Sequence, residues 1–323
     1  ETDHGGTQPK EGGEADRPAK KCLAPPTQQE QSHDNETDRF NHGGTLAGDP
    51  WSVHAVLAGY HSDMSRTILG FPDGEGVSRY AASLFARLAK KAVWDRGVFH
   101  VALAGGATPR QTYEILSTPG FVGPVEWNST QIYFGDERAV EPDHADSNFH
   151  LASEALLNSL RLHSSQVHRM AGERGDLNVA AREYEARLAK SFATKRDEGL
   201  PRFDLILLGM GKDGHTASLF PFTEALNERE AWVVRNEVPQ LSTERLTLTV
   251  PVLNAARCVV FLVNGDDKAK ALERVLEGPP NRIEFPSQLI QPSDGELLWL
   301  VDEAAAAHLT RRPEAPPSRE SRE

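Results

Sequence analysis

The segment with the most evident chemistry is GMGKDGHTASLFP, residues 209–221. It directly follows the apolar run with the strongest strand character, so its polar groups are expected just beyond the end of a buried strand. An unprotonated histidine at such a place, here His215, can take a proton from water as a general base must. His215 could instead only satisfy a loop carbonyl, but Asp213 and the hydroxyl groups beside it favour catalysis.

A second polar segment, FGDER at residues 134–138, ends another apolar run. Arg138 carries a planar guanidinium that can hold a carbonyl, a carboxylate or a phosphate. Asp136 can accept hydrogen bonds from sugar hydroxyls or relay a proton. Neighbouring opposite charges also occur in solvated turns, but the location at a strand end favours a functional role.

A third segment, AGGATPR at residues 104–110, has the residue types of a strand-to-helix junction. Gly105 and Gly106 let the backbone approach an anion. The free amides of a helix N-terminus, together with the Thr108 hydroxyl, can donate to phosphate oxygens. We interpret this segment as a phosphate cradle, although a plain strand-to-helix turn would use the same residue types.

The composition argues against several other classes of protein. The formal net charge of -12 and the pI near 5.5 are unsuited to a general nucleic-acid binder, which needs a basic surface. No apolar run approaches the roughly 20 residues of a membrane helix, and the start of the chain lacks a hydrophobic signal core. The two cysteines, Cys22 and Cys258, do not suggest a disulfide framework. We therefore expect a cytoplasmic protein with no membrane or nucleic-acid partner; the oligomeric state stays open, and a monomer is compatible with the sequence.

The elements that must position the polar segments follow an α/β pattern. From about residue 51, short β-branched runs alternate with amphipathic segments, which predicts a parallel sheet covered by helices. The predicted strands are residues 99–104, 131–134, 203–208, 232–235, 246–250, 259–263 and 297–301. In an open sheet of this type ligands collect beyond the carboxyl ends of the strands, where all three polar segments lie.

The helices are predicted from apolar spacing and from capping residues. Apolar residues recur at helical spacing between 77 and 88 and between 177 and 192, which indicates two helices that face the core. Ser147 is expected to cap a helix that runs through Leu156, and a further helix is expected over residues 269–276.

The chain divides most simply into three parts. Residues 1–50 are rich in Gly, Pro, Gln, Asp and Glu, so we predict a disordered acidic and polar tail. A single domain is predicted over residues 51–310. Residues 311–323 are predicted to form a charged C-terminal tail.

The three polar segments, in this order and spacing, resemble the hallmarks of the 6-phosphogluconolactonase family of sugar-phosphate lactonases. These hallmarks are a Gly-Gly-x-Thr-Pro loop, a Gly-Asp-Glu-Arg stretch and a Gly-x-Asp-Gly-His-Thr-Ala-Ser-Leu-Phe-Pro block. Further matches lie at residues 245–249, 251–254, 265–269 and 286–289, so the likeness spans about residues 70–303. Lys212 departs from the pattern, since many relatives have proline or an acidic residue there.

The resemblance implies an enzyme that hydrolyses 6-phospho-D-glucono-1,5-lactone in the oxidative pentose phosphate pathway. It implies a doubly wound, mostly parallel α/β sheet with helices on both faces. No cofactor is expected, because a lactone is already activated toward water. Metal-ligand spacing is also lacking among the scattered histidines, which are His144, His150, His163 and His168.

The roles of the catalytic residues follow from the chemistry of lactone hydrolysis, and those of the phosphate-binding residues follow from the resemblance. His215 is expected to be the general base, and Arg138 to stabilise developing negative charge or to fix the substrate. Asp213 or Asp136 would orient His215 or the sugar hydroxyls, and the sequence does not choose between them. The phosphate is assigned to Gly105, Gly106, Thr108, Arg245 and Lys268, of which Arg245 and Lys268 could equally be surface charges.

Two alternatives remain. A glucosamine-6-phosphate deaminase or isomerase would share the fold and the phosphate cradle. That group carries Asp-Glu-Tyr where this chain has Asp-Glu-Arg, and Ile-Ala-Phe-Asn where this chain has Thr-Ala-Ser-Leu after the histidine. The other alternative is a catalytically silent sugar-phosphate sensor, against which the presence of both Arg138 and His215 argues.

Overall fold

The computed structural model describes residues 66–317 of the chain. The predicted tail over residues 1–50, residues 51–65 of the predicted domain and residues 318–323 lie outside the described residues. The strands are β1 (Arg66–Phe71), β2 (Phe99–Leu103), β3 (Thr130–Phe134), β4 (Asp136–Arg138), β5 (Val167–His168), β6 (Leu205–Gly209), β7 (Val233–Val238), β8 (Thr243–Leu248), β9 (Cys258–Val263) and β10 (Glu296–Asp302). The α-helices are α1 (Gly74–Arg96), α2 (Ala107–Leu116), α3 (Pro119–Val122), α4 (Asn148–Ala155), α5 (Leu177–Ser191), α6 (Val250–Asn254) and α7 (Ala269–Leu276).

The main sheet has seven parallel strands in the order β1-β10-β9-β6-β2-β3-β5. Because successive residues of a strand point to opposite faces, the sheet supplies two separate cores. In β2, Val101 and Leu103 pack in the core beneath α1, α2 and α4, whereas Ala102 packs in the core beneath α5, α6 and α7. This arrangement confirms the predicted doubly wound, mostly parallel α/β fold with helices on both faces.

The predicted helices are present. The two apolar stripes form the buried sides of α1 and α5. Ser147 caps α4 as predicted, because its hydroxyl oxygen accepts a hydrogen bond from the His150 amide at 3.1 Å. This helix ends at Ala155, one residue short of the predicted end, and α7 covers the predicted range of 269–276.

The predicted strands over residues 232–235 and 246–250 belong to a second sheet rather than to the parallel one. This sheet is antiparallel, has the order β4-β8-β7 and uses the polar residues 136–138 as its edge strand. A connection of only residues 239–242 joins β7 to β8, which is far too short for the crossover between parallel strands. The second predicted strand also ends early, at Leu248, since α6 begins at Val250 with a proline in its first turn.

The strand order reverses between β2 and β6, which are hydrogen-bonded neighbours. From β2 the chain continues to β3 and β5 on one side, and from β6 it continues to β9 and β10 on the other. Open α/β sheets bind ligands beyond the carboxyl ends of their strands at such a reversal. The polar segments at 104–110 and 209–221 follow β2 and β6, so the fold brings them to this position.

The edge strand β1, which the sequence pattern did not predict, is covered on its outer side by the end of the described chain. The Gly70 amide donates to the Glu314 carbonyl at 2.8 Å, and the Glu314 amide donates to the Ile68 carbonyl at 2.9 Å. These bonds satisfy backbone groups of an edge strand that would otherwise be open to pairing with another chain.

The first residue of β10, Glu296, gives a stability prediction. Burial raises the pKa of its carboxyl to about 7, and the charges of Arg87 and Lys91 offset this only in part. The unfolded chain ionises near pH 4.5, so between that pH and pH 7 the folded state holds a proton that the unfolded state has lost. The contribution of Glu296 to the free energy of unfolding is therefore fully present below about pH 4.5. It is lost as the pH rises through about 7.

Replacing Glu296 by Gln should thus raise the free energy of unfolding by about 1 to 2 kcal/mol at about pH 8, with no gain at about pH 4. Urea unfolding at both pH values measures this. Glu303→Gln, at an exposed position just beyond the same strand, is the control. An equal effect of Glu296→Gln at the two pH values would show that burial does not raise the pKa of the Glu296 carboxyl.

Candidate functional site

The loops after β2 and β6 lie against each other at the point where the strand order reverses. A Cβ atom placed on Gly209 would come 4.0 Å from the Gly105 carbonyl oxygen. A Cβ atom on Gly105 would lie 1.8 Å from Oδ1 of Asn148, at the start of α4. Position 105 therefore needs glycine, because a larger residue would displace the Asn148 side chain, which is buried against the loop.

His215 and Asp213 form a tight pair in the loop after β6. The distance from His215 Nδ1 to Asp213 Oδ1 is 2.6 Å, and the backbone amide of His215 donates to the same oxygen at 3.2 Å. Burial tends to raise the pKa of the Asp213 carboxyl, but the hydrogen bond and charge of His215 outweigh it, so the pKa is lowered. An ionised carboxylate only accepts hydrogen bonds, so Nδ1 of His215 carries a proton, and in the neutral imidazole it is Nε2 that has the lone pair.

The ring of His215 is also held by packing. Phe220 stacks on it with a centroid distance of 4.0 Å and an interplanar angle of 24°. The side chain nevertheless keeps 27% of its surface exposed, so the ring is accessible from solvent. Lys212, which departs from the family pattern, is exposed.

The structure separates the two aspartates that the sequence left as alternatives. Asp213 contacts His215, whereas the buried Asp136 accepts hydrogen bonds from Ser218 Oγ at 2.7 Å and from Asn148 Nδ2 at 3.2 Å. Asp136, the first residue of β4, thus joins that strand to the His215 segment and to α4. Its contacts are those of a brace between three chain segments.

Arg138 and Arg245 lie opposite each other on the neighbouring strands β4 and β8. A guanidinium N–H of Arg138 donates to the carbonyl of Asp146, which holds that side chain over the loop before α4. Burial lowers the pKa of Arg245, and the positive charge of Arg138 lowers it further. Two crowded cations favour a negative charge between them, so this pair can stabilise an anion or an oxyanion.

Glu137 lies between Asp136 and Arg138, and the sequence interpretation gave it no role. It is only 2% exposed, and its carboxylate accepts from the amides of Asn148 at 2.7 Å and Phe149 at 2.9 Å. Burial raises its pKa, although these backbone hydrogen bonds oppose the rise. The carboxylate satisfies the N-terminus of α4 and thereby fixes β4, which carries Arg138. The capping residues Ser147 and Asn148 lie ten and eleven residues further along the chain, so local spacing gave no signal for this contact.

The predicted phosphate cradle forms the start of α2. Gly106 is the residue before its first turn, and no side chain caps the free amides there. The buried Thr108 donates its hydroxyl to the side-chain oxygen of Asn264, which follows β9 and was not predicted. Lys268, four residues further on, contacts Asp267 at 2.9 Å and keeps 25% of its side chain exposed. The fold therefore brings the ends of β2 and β9 together, while Arg245 lies with Arg138 on the second sheet.

A comparison with known proteins places this arrangement in a family. The family described as Glucosamine-6-phosphate isomerases/6-phosphogluconolactonase matches residues 72–299. The chain belongs to this family. The resemblance inferred from the three polar segments is thus confirmed, and the matched residues include all of the candidate site residues.

Relatives within the family resemble the chain over most of its length. It is 36% identical to a 6-phosphogluconolactonase of Nostoc sp. over 247 residues, which are 76% of this chain and all of the relative. It is 40% identical to a 6-phosphogluconolactonase of Synechocystis sp. over 220 residues, which are 68% of this chain and 88% of the relative. The structure of 6-phosphogluconolactonase from Trypanosoma cruzi superposes with a TM-score of 0.69 at 27% identity, over 78% of this chain and 100% of that one.

The described part of the chain has neither a metal-binding cluster nor a membrane helix. Residues 66–317 contain no group of three or more His, Cys, Asp and Glu side chains placed to hold a metal ion. Within the same residues no helix is long and apolar enough to cross a membrane. The absence of a cofactor stays a prediction from the chemistry of the lactone.

Proposed function

We propose that the chain hydrolyses 6-phospho-D-glucono-1,5-lactone to 6-phosphogluconate in the oxidative pentose phosphate pathway. The observation that carries the proposal is the 2.6 Å contact between Asp213 and His215, in the loop after β6 where the strand order reverses. Relatives at 36% and 40% identity carry the name of this activity, in agreement with the enzyme class predicted from the sequence.

In the proposed reaction, Nε2 of His215 takes a proton from water while the water oxygen attacks the lactone carbonyl carbon. The new bond between that oxygen and the carbonyl carbon gives a tetrahedral oxyanion. As the carbonyl re-forms, the bond from the carbonyl carbon to the ring oxygen breaks, and the imidazolium returns its proton to the leaving oxygen. Asp213 holds the ring orientation and stabilises the transient imidazolium, the role that a carboxylate has beside a catalytic histidine.

The groups that bind negative charge take two roles in the proposed reaction. Arg138 stabilises the oxyanion or fixes the lactone, and Arg245 faces it across the strand pair. The amides of Gly105 and Gly106, with Lys268, hold the phosphate at the start of α2, and the Thr108 hydroxyl exchanges its hydrogen bond to Asn264 for one to a phosphate oxygen. Arg245 was also assigned to the phosphate, and its position beside Arg138 allows it to reach a ligand that spans the two regions.

The substrate that distinguishes the proposal from its closest alternative is glucosamine 6-phosphate. We expect the chain to release acid from the phosphorylated lactone above the spontaneous rate and to release no ammonium from glucosamine 6-phosphate. Ammonium release at a comparable kcat/KM would favour a deaminase. Binding of sugar phosphates without turnover of either substrate would favour a sensor.

Removal of metals gives a separate prediction. The lactone carbonyl is already activated, so attack by water needs a base and an oxyanion partner but no Lewis acid. After dialysis against a strong chelator, lactone hydrolysis should keep its full rate, measured by proton release with spontaneous opening subtracted. A loss of rate that only added divalent metal restores would refute the cofactor-free mechanism.

We also propose a cytoplasmic location, with the sugar-phosphate lactone as the small-molecule partner. The support is the cysteine usage: Cys258 is a buried free thiol, as expected in a reducing compartment.

A further inference from the structure

Ser287 contacts the His215 loop from a distant part of the chain. It is 1% exposed and lies in the short helical turn Pro286–Leu289, one of the segments singled out in the sequence. Its backbone N–H donates to the Gly214 carbonyl oxygen at 3.0 Å, and its hydroxyl donates to the same oxygen at 2.8 Å. One serine therefore donates two hydrogen bonds to the same carbonyl oxygen.

The carbonyl that Ser287 holds belongs to the peptide unit between Gly214 and His215. The N–H of that unit donates to Asp213 Oδ1 at 3.2 Å. Because a peptide unit is planar, fixing the direction of its C=O also fixes the direction of its N–H. The same Asp213 oxygen accepts from His215 Nδ1. The orientation of the peptide unit therefore connects Ser287 to the catalytic pair.

The conformation of Gly214 makes this support necessary. Its φ angle is +79°, a left-handed value that a glycine adopts easily but does not enforce. A Cβ atom at this position would come 2.8 Å from a ring carbon of Phe285, so the turn is packed directly against the segment that carries Ser287. The hydrogen bonds within the loop, from the Gly214 amide to the Gly211 carbonyl at 3.0 Å and from the Gly211 amide to the His215 carbonyl at 2.9 Å, leave the Gly214 carbonyl to Ser287.

We propose that Ser287 is a positioning residue for catalysis, which sets the orientation of the Asp213–His215 pair through the Gly214–His215 peptide unit. The proposal rests on the proposed function, since it takes His215 as the general base. Ser287 acts through the turn and does not touch the reacting atoms.

The test compares Ser287→Ala with wild type and with Ser293→Ala, an exposed serine that follows in the same connection to β10. Loss of one hydroxyl donor should lower kcat by about 2- to 12-fold, the range for one hydrogen bond. The KM should change less than about twofold, because the misplaced base affects the transition state and not substrate binding. Ser293→Ala should match wild type, and Ser287→Thr, which keeps the hydroxyl, should restore kcat.

A spectroscopic measurement tests the geometry without turnover. The proton on His215 Nδ1, held by an ionised carboxylate, should give a far-downfield proton resonance that Asp213→Asn abolishes. In Ser287→Ala this resonance should broaden or move upfield, although the chain stays folded by circular dichroism. If Ser287→Ala does not fold, Ser287→Cys provides the same comparison, since a thiol is a weak donor of similar size.

An unchanged kcat and an unchanged resonance in folded Ser287→Ala would overturn the positioning role. A fall in kcat that Ser287→Thr fails to restore, with the resonance intact, would overturn it as well. If the wild-type chain does not hydrolyse the lactone, the proposed function fails, and the resonance alone still decides whether Ser287 orients the pair.

Discussion

Asparagine in place of His215 is expected to lower kcat for the phosphorylated lactone by about 10²- to 10⁴-fold. Its amide nitrogen can still donate to Asp213, as His215 Nδ1 does at 2.6 Å, but the side chain has no basic atom where Nε2 stands. The folded state should lose little stability, because 27% of the His215 side chain is exposed and the remaining contact is one stacked ring. Initial rates and melting temperature, measured on the same preparation, check both parts.

The matched control for this substitution is His308→Asn. His308 is 44% exposed and also faces a carboxylate, Glu273, at 3.7 Å, but it belongs to the turn after β10 and not to any of the three polar segments. Turnover of this variant should equal that of wild type. If His215→Asn retained turnover within a few-fold of wild type, the base would have to be another residue.

The second large effect concerns the phosphate. Loss of one charged phosphate contact typically costs about 1.5 to 3 kcal/mol, so Lys268→Ala should lower kcat/KM for the phosphorylated lactone by about 10- to 150-fold. The unphosphorylated lactone should be almost unaffected by the same change. Lys268 lies in the segment that follows β9. The first residue of that segment, Asn264, accepts a hydrogen bond from Thr108 in the phosphate cradle, so Lys268 is suited to this role.

A control for the charge is available two residues away. Lys270 is exposed on the first turn of α7, and Lys270→Ala removes the same charge without removing a residue of the cradle. We expect kcat/KM for both lactones to stay at the wild-type level in that variant. Equal losses for the two lactones in Lys268→Ala would indicate a folding defect, and no loss for either would show that the phosphate is held elsewhere.

Five of the seven strands of the main sheet were predictable because they are buried on both faces, whereas the edge strands β1 and β5 are only partly buried and were not predicted. Segments such as 203–208 and 259–263 are continuous apolar runs, which are typical of parallel strands in a chain that also shows helical stripes. The antiparallel sheet was harder to predict, since 232–235 and 246–250 have the same local pattern as the parallel strands. Pairing depends on which chain segments meet, and β4 contributes only three polar residues to the pattern.

The candidate site also has parts that could be predicted from the sequence and parts that could not. His215 and Asp213 are neighbours in the sequence, so their pairing was accessible, although the choice between Asp213 and Asp136 needed the positions of Ser218 and Asn148. Contacts between distant segments were inaccessible from local spacing. Those contacts are Asn264 with Thr108, Glu137 with the N-terminus of α4 and Ser287 with Gly214, and each depends on the order of strands in the sheets.

The central claim is that this chain opens a phosphorylated sugar lactone with His215 as the base. The most direct measurement is the initial rate of acid release from 6-phospho-D-glucono-1,5-lactone with the purified chain, after subtraction of spontaneous opening. The His215→Asn variant at the same concentration provides the second trace. We predict a rate proportional to the wild-type concentration and a trace for His215→Asn lower by about 10²-fold or more. A folded wild-type chain with no rate above the spontaneous one, or two traces of equal slope, would contradict the claim.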